Sequence, residues 1–208
     1  MADAPPPPPP AWLRPHGRPW TSATGPRPVH ENPWFMVEAH QAIAPTGAST
    51  PYFVHRPRHL ATGVVPLHDD GTVTLVGQWR FPLGRYGWEI PEGGAPHGEP
   101  PLEGCRRELR EEAGLEAAHW REILVMELSN SSSDELAHVF LATGLSPCPA
   151  APEATEELAQ ARAPFREALH AAVTGRVQDA ITVAALLRVH HMAAEGELEP
   201  ALAKAVLG

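Results

Sequence analysis

The chain has 208 residues, 43% of them hydrophobic, and a formal net charge of −9. That length fits one domain of ordinary size with at most an extension, and the apolar share suffices for a core without disulfide or metal staples. The acidic balance excludes the basic footprint of a duplex nucleic-acid binder, yet it leaves room for a small anionic substrate where a cation supplies local positive charge.

The two cysteines, Cys105 and Cys148, form neither a disulfide framework nor a metal-ligand spacing. No apolar run reaches the length of a membrane span, and the N-terminus lacks a basic region followed by an apolar core. A cytoplasmic protein without a membrane partner is the expectation. Asn130-Ser131-Ser132 matches a glycosylation sequon, which this setting makes a chance match.

Residues 1–33 read as an irregular, flexible extension. Pro5 to Pro10 are an unbroken proline run, and Pro15, Pro19, Pro26, Pro28 and Pro33 follow. Polyproline favours an extended, solvated chain; the alternative role is a ligand for a proline-binding domain. Residues 34–208 read as the folded domain. A strand begins near Pro33-Trp34-Phe35-Met36-Val37, with Trp34 expected to pack there. Tyr52-Phe53-Val54, Gly63 to Leu67 and Val73 to Val76 are strand-like, and Asp70-Gly71 marks a hairpin turn between the last two. Arg80 to Gly87 reads as a loop, and Trp88-Glu89-Ile90-Pro91 as a short strand cut off by proline.

The spacing predicts a helix over Pro101 to Ala113, stopped by Gly114. Ile123 to Leu128 and Leu136 to Ala142 read as strands around the polar loop Ser129 to Glu135. Glu156 to Pro164 is ambiguous, with a strand one possibility. Arg166 to Val173 and Val177 to His191 read as helices separated by Gly175. Early strands, a central helix, more strands and terminal helices predict an α/β sandwich with a mixed sheet.

The chemistry concentrates between Gly93 and Leu115. Glu108, Glu111 and Glu112 stand at i, i+3 and i+4, which puts three carboxylates on one helix face. Like charges at these spacings destabilise a helix by a few tenths of a kcal/mol per pair. Arg106, Arg107 and Arg110 relieve part of that, and a hard divalent cation with oxygen ligands would relieve more. Leu102, Cys105 and Leu109 form the opposite stripe, spaced for burial. Three glutamates alone would describe an ordinary solvated helix; the residues around them change the reading.

Gly93, Glu99, Arg107, Glu108, Leu109, Glu111, Glu112, Gly114 and Leu115 fit the pattern G-x5-E-x7-R-E-U-x-E-E-x-G-U, with U aliphatic, at every constrained position. On these residues the chain resembles the Nudix hydrolases. Gln78-Trp79-Arg80-Phe81-Pro82, Gly87 to Gly93, Glu156-Glu157-Leu158 through Pro164-Phe165, and Gly175 to Ala180 are similar to the ADP-ribose pyrophosphatase branch. The likeness runs from about Trp34 to Arg188. One departure stands out: many enzymes of that branch carry a proline about sixteen residues past the box, whereas this chain reads Ser129-Asn130-Ser131-Ser132-Ser133-Asp134-Glu135. The preferred sugar is therefore left open.

The resemblance implies a Nudix-type α/β/α sandwich with a mixed β-sheet and a loop-helix-loop catalytic motif. It implies Mg²⁺, with Mn²⁺ as a substitute, and hydrolysis of a nucleoside diphosphate sugar such as ADP-ribose. Metal ligands would be Glu108 and Glu112, with Glu111 binding metal or orienting water, and Glu92 acting through its backbone carbonyl. Glu99 would support the site or hold a further ion. Gly93 lets the chain turn close to the ions, Gly114 ends the helix, and Arg107 pairs with a box glutamate to hold loop to helix. The general base would come from a loop outside the box, with Glu135 and Glu156 the candidates. Arg80 suits a substrate phosphate, since guanidinium donates in a fork. Trp34 or Trp79 could stack on adenine, although burial in the core is the favoured reading of both. A homodimer is implied by resemblance alone. The competing functions are a Nudix hydrolase for NADH, a dinucleoside polyphosphate or another such substrate, and a non-catalytic ADP-ribose sensor. The retained box glutamates count against the sensor.

Overall fold

The computed structural model describes residues 10–150 and 157–208. The strands form three sheets, two of four strands and one of three. In the first, β1 (Thr21–Ser22), β2 (Arg27–Glu31) and β4 (Ser49–Pro57) all pair antiparallel with β3 (Phe35–Ile43). The mixed sheet has the order β8 (Glu92–Pro96), β5 (His59–Pro66), β10 (Leu136–Pro147), β9 (Leu115–Glu127), with β5 and β10 parallel. In the third, β6 (Thr72–Arg80) lies between β7 (Arg85–Glu89) and β11 (Ala159–Pro164). Four α-helices complete the described residues: α1 (Pro101–Ala113), α2 (Phe165–Val173), α3 (Ala180–Ala194) and α4 (Pro200–Leu207).

The alternation of side chains along β5 and β10 makes the layers. Val64, Phe140 and Ala142 point to one face and pack with Cys105, Leu109 and Ala113 of α1. Val65, Val139 and Leu141 point to the other, into a larger core with Phe165, Ile181, Leu186 and Val189 from α2 and α3. Helix, mixed sheet, helices: this is the α/β/α sandwich that the resemblance implied. Fully buried Leu109 anchors α1, and truncating such a leucine to alanine costs about 2–5 kcal/mol. Gly114, at φ 61°, closes α1 in the left-handed conformation, its N–H reaching the Arg110 carbonyl at 3.1 Å.

Several elements differ from the sequence reading. Residues 21–22 and 27–31 are strands, not irregular chain. Pro28 sits beside a register shift, which is where a strand tolerates proline. The expected loop Arg80 to Gly87 is the tip of a hairpin. A 3₁₀ turn, Phe81–Leu83, reverses the chain, and Arg80 pairs with Arg85. β8 and α4 were not foreseen. α3 starts later than expected because Asp179 caps it, accepting from the Thr182 amide at 2.7 Å. Glu156 lies outside the described residues. Among the described residues no helix is long and apolar enough to cross a membrane.

Both cysteines are free thiols, but their settings differ. Cys105 is fully buried, and burial pushes its thiol up to about 12. Cys148 is only partly buried, with Pro147 and Pro149 on either side. A thiol reagent such as DTNB at pH 8 should label Cys148 in the native protein and reach Cys105 only on unfolding. Two fast-reacting thiols in the folded chain would contradict the burial of Cys105.

Candidate active site

The helix α1 delivers its carboxylates to the chain segment that precedes it. β8 runs antiparallel to β5, with Gly93 opposite Thr62 and Gly94 opposite Ala61. A Cβ on Gly93 would overlap the Glu108 carboxyl group, so glycine here leaves the space that this carboxylate occupies. Glu112 Oε2 accepts from the Glu92 amide at 2.9 Å, and Gln160 of β11 donates to the Glu112 carbonyl at 2.6 Å. Glu108 and Glu112 are buried, not the solvent-facing pair that a charged helix face suggests.

Arg107 is the local counter-charge. Its guanidinium donates to the Gly94 carbonyl at 2.7 Å and to Glu108 Oε1 at 2.6 Å. It lies 3.4 Å from Glu111 Oε2 and 3.8 Å from Glu99 Oε2. One cation thus serves three carboxylates and a strand carbonyl. Among the described residues, Glu99 Oε2 and Glu92 Oε2 are buried without a hydrogen-bond partner. Buried charge without full pairing is unfavourable. Of the two, Glu92 shares a cluster with Glu89 and Asp179 whose carboxylate oxygens lie within 4.8 Å of one another, and such a set of hard oxygens fits a hard divalent cation such as Mg²⁺ or Mn²⁺.

Next to this face stands a second acidic group, of which the sequence reading assigned only Glu92 to the site, through its backbone carbonyl, and neither Glu89 nor Asp179. Arg80, at the end of β6, forks onto Glu89 across the hairpin and reaches Glu92 Oε1 at 3.1 Å. Gln78 donates to Glu89 Oε1 at 2.9 Å. The carboxylates of Glu89, Glu92 and Asp179 each offer an oxygen within 4.8 Å of the others. Burial raises the Glu92 carboxyl well above the usual carboxylate range, and the neighbouring charges of Asp179 and Glu89 add to it. Burial also raises Glu89, against the pull of Arg80. A cue to Glu89 was its strand neighbour Trp88: alternation turns one of the two inward. Asp179, which the sequence reading put inside the helix from Val177, carried its cue as a capping residue type followed by the apolar run from Ala180.

Three adjoining cavities share Gly93. One, of about 300 Å³, is lined by Trp34, Arg80, Glu92, Arg107, Glu108 and Glu112 among others. A second, of about 510 Å³, runs from Arg80 and Glu92 to Glu135, Arg176, Gln178 and Asp179. The third, of about 270 Å³, has aromatic walls from Trp34, Phe35, His55 and His59, and touches Glu135. Glu135 therefore sits at the site, while its neighbour Asp134 is drawn off to Arg56 at 2.6 Å. Core packing of Trp34 and Trp79 is overturned: each is 70% exposed. Trp34 starts at the edge of β3, where its ring borders two cavities. Trp79 stands edge-on to Tyr86 and lines none of the three. Glu111 and Glu99 flank the face through Arg107, and Glu156 cannot be placed.

Since Gly93 is the contact between β8 and Glu108, Gly93→Ala should displace that carboxylate by an ångström or so. A shift of this size at a reacting centre lowers turnover about 100-fold. The variant should keep its fold by circular dichroism; wild-type turnover in a folded Gly93→Ala protein would show that the close approach is dispensable.

Comparison with known proteins places the chain among its relatives. An ADP-ribose pyrophosphatase of Mycobacterium tuberculosis (strain ATCC 25618 / H37Rv) is 37% identical over 134 residues, covering 62% of this chain and 64% of the relative. An ADP-ribose pyrophosphatase of Bacillus subtilis (strain 168) is 41% identical over 86 residues, covering 41% of this chain and 46% of the relative. The chain thus spans less than two thirds of either relative's length. A solved structure described as an ADP compounds hydrolase superposes with a TM-score of 0.77 at 21% identity, covering 89% of this chain and all of that one, which establishes the shared fold. The NUDIX domain model matches residues 57–188, more than half of the chain and all of the site's box, and the protein belongs to that family.

Proposed function

We propose that the protein hydrolyses the diphosphate bond of a nucleoside diphosphate sugar in an Mg²⁺-dependent reaction, with ADP-ribose giving AMP and ribose 5-phosphate as the leading case. Mn²⁺ would substitute. The observation that carries the reading is the α1 face, where Glu108 and Glu112 are buried against Gly93 and the Glu92 amide beside Arg80. The names of the M. tuberculosis and B. subtilis relatives point to the same substrate.

Glu108 and Glu112 would hold the ion, with Glu111 as a further ligand or water-orienting group and the Glu92 carbonyl as a backbone ligand. When bound, the ion neutralises diphosphate charge and lowers the pKa of a coordinated water. Arg107 positions Glu108 against Gly94, Glu99 supports Arg107, and Gly114 fixes the end of the helix. Arg80, which lines two of the cavities, meets the diphosphate once its fork to Glu89 opens. Water adds to one phosphorus, the bridging oxygen leaves with the other phosphate, and a base takes the water proton. Glu135 suits the base by its place on two of the three cavities; Glu156 is the other candidate. Trp34 suits a nucleobase, since its exposed ring adjoins the aromatic cavity. Trp79 is the weaker candidate for that role.

The test is product release from ADP-ribose, ADP-glucose, GDP-mannose, NADH, diadenosine polyphosphates and dGTP, with and without Mg²⁺. Metal-dependent release of AMP and ribose 5-phosphate at the highest rate supports the reading. A faster member elsewhere in the panel moves the substrate, as the proline-free Ser129 to Glu135 loop allows. No turnover of any member brings forward the sensor, or a substrate outside the panel. Glu112→Gln should lower turnover by orders of magnitude in a folded protein, because its carboxylate serves the ion.

The same proposal places residues 34–208 as the catalytic domain, with residues 1–33 an extension whose segment 21–31 docks on β3. It takes the cytoplasm as the location, in keeping with two free thiols, and no nucleic-acid partner, in keeping with the net charge of −9. It also takes a homodimer. Supporting this is an exposed apolar group at the hairpin tip: Trp79, Phe81 (96% exposed) and Leu83. Light scattering should give twice the 22.4 kDa chain mass, and Phe81→Glu should shift it toward the monomer. A monomeric wild type would end the dimer reading.

A further inference from the structure

The segment Ile90-Pro91 carries the chain from one sheet to another. Glu89 is still paired with Val76 in β6, and Glu92 is already opposite Gly63 in β5. Two residues make this crossing, both buried, so each backbone polar group on them needs a partner inside the protein. Pro91 has no N–H, and its carbonyl accepts from the Val64 amide at 2.9 Å. The one amide of the crossing is that of Ile90. It donates to Thr182 Oγ1 at 2.9 Å.

Thr182 lies in the first turn of α3 and is fully buried, with Ile181 and Ala185 beside it in the larger core. Alanine would suit both the helix and the apolar surroundings better. The hydroxyl is held in place from the backbone side as well, because the Thr182 amide donates to the capping carboxylate of Asp179 at 2.7 Å. The next residue after the crossing, Glu92, gives its amide to Glu112, and Gly93 then presses on Glu108. Three consecutive hydrogen bonds therefore fix this stretch, and the first of them comes from a helix on the opposite face of the sheet.

We propose that Thr182 is a positioning residue for the metal-binding face of α1: its hydroxyl sets the Ile90–Gly93 crossing, so that Glu92 and Gly93 meet Glu112 and Glu108 in one arrangement. This rests on the reading of Glu108 and Glu112 as metal ligands. Thr182 touches neither substrate nor ion and acts through the Ile90 amide alone.

The experiment compares wild type, Thr182→Val and Thr182→Ser. Valine keeps the shape and removes the acceptor; serine keeps the acceptor. Mn²⁺ binding is followed by electron paramagnetic resonance on the full chain without substrate, and kcat and KM are measured alongside. Groups that orient ligands from behind typically change metal affinity about 10–100-fold when removed. Thr182→Val should weaken Mn²⁺ binding at least about tenfold on that scale and lower kcat more than it raises KM. Thr182→Ser should restore both. If Thr182→Val does not fold, Thr182→Ala, which admits water to the Ile90 amide, takes its place with a smaller change in the same direction. Wild-type Mn²⁺ affinity in a folded Thr182→Val or Thr182→Ala protein overturns the proposal. If wild type itself binds no Mn²⁺, the metal reading fails and takes this one with it.

Discussion

Two buried carboxylates on one helix face, Glu108 and Glu112, set the terms for everything around them. Desolvating a carboxylate is unfavourable by several kcal/mol unless partners replace the water. The fold answers by bringing backbone and cation to the helix. The Glu92 amide meets Glu112, the Arg107 guanidinium meets Glu108, and Gly93 gives up a side chain so that the two elements can touch. The apolar side of α1 then needs depth, which Cys105, Leu109 and Ala113 find against Val64 and Phe140. An acidic surface charge would be a poor setting for a diphosphate. A cation held by this face changes the local sign where it matters.

A second constraint lies across the β6–β7 hairpin. Arg80 is held by Glu89 and Glu92, and Asp179 stands within reach of both carboxylates. The arginine is therefore already oriented at the mouth shared by two cavities. A flexible arginine must lose rotamer freedom on binding; one pinned by a fork has already lost it. The acidic neighbours also keep Arg80 from binding any passing anion tightly, because a ligand must compete with Glu89 for the same N–H groups.

The helix α1 was legible in the sequence because everything that defines it is local. The i, i+3, i+4 carboxylates, the buried stripe and the Gly114 cap all lie within a few turns, and their spacing is rigid. The layered architecture was legible from the order of elements, strands then a helix then strands then helices. What escaped was set by tertiary pairing. Glu-Gly-Gly-Ala-Pro has little strand propensity, and β8 exists because β5 offers it an edge. Glu89 and Asp179 are far apart in sequence and meet only when α3 docks. Trp34 and Trp79 illustrate the limit of hydrophobicity as a guide: a large ring belongs in a core or at a binding surface, and sequence does not choose. Arg27 to Glu31 is polar and proline-bearing, so its strand becomes visible only beside β3.

The parallel pairing of β5 with β10 has a bearing on how the protein comes to its native state. Ala61 and Ala137 are register partners, and the whole of α1 lies between them in the chain. β6 and β11 close an even wider loop around the same helix. Such non-local pairings form late because loop-closure entropy must be met before any contact rewards it. Glu108 and Glu112 thus acquire their fixed neighbours only when most of the chain is in place. A divalent ion bound at this face would then select the finished fold over partly folded forms, so its binding energy would add to native stability by mass action and do little to speed the collapse that precedes it.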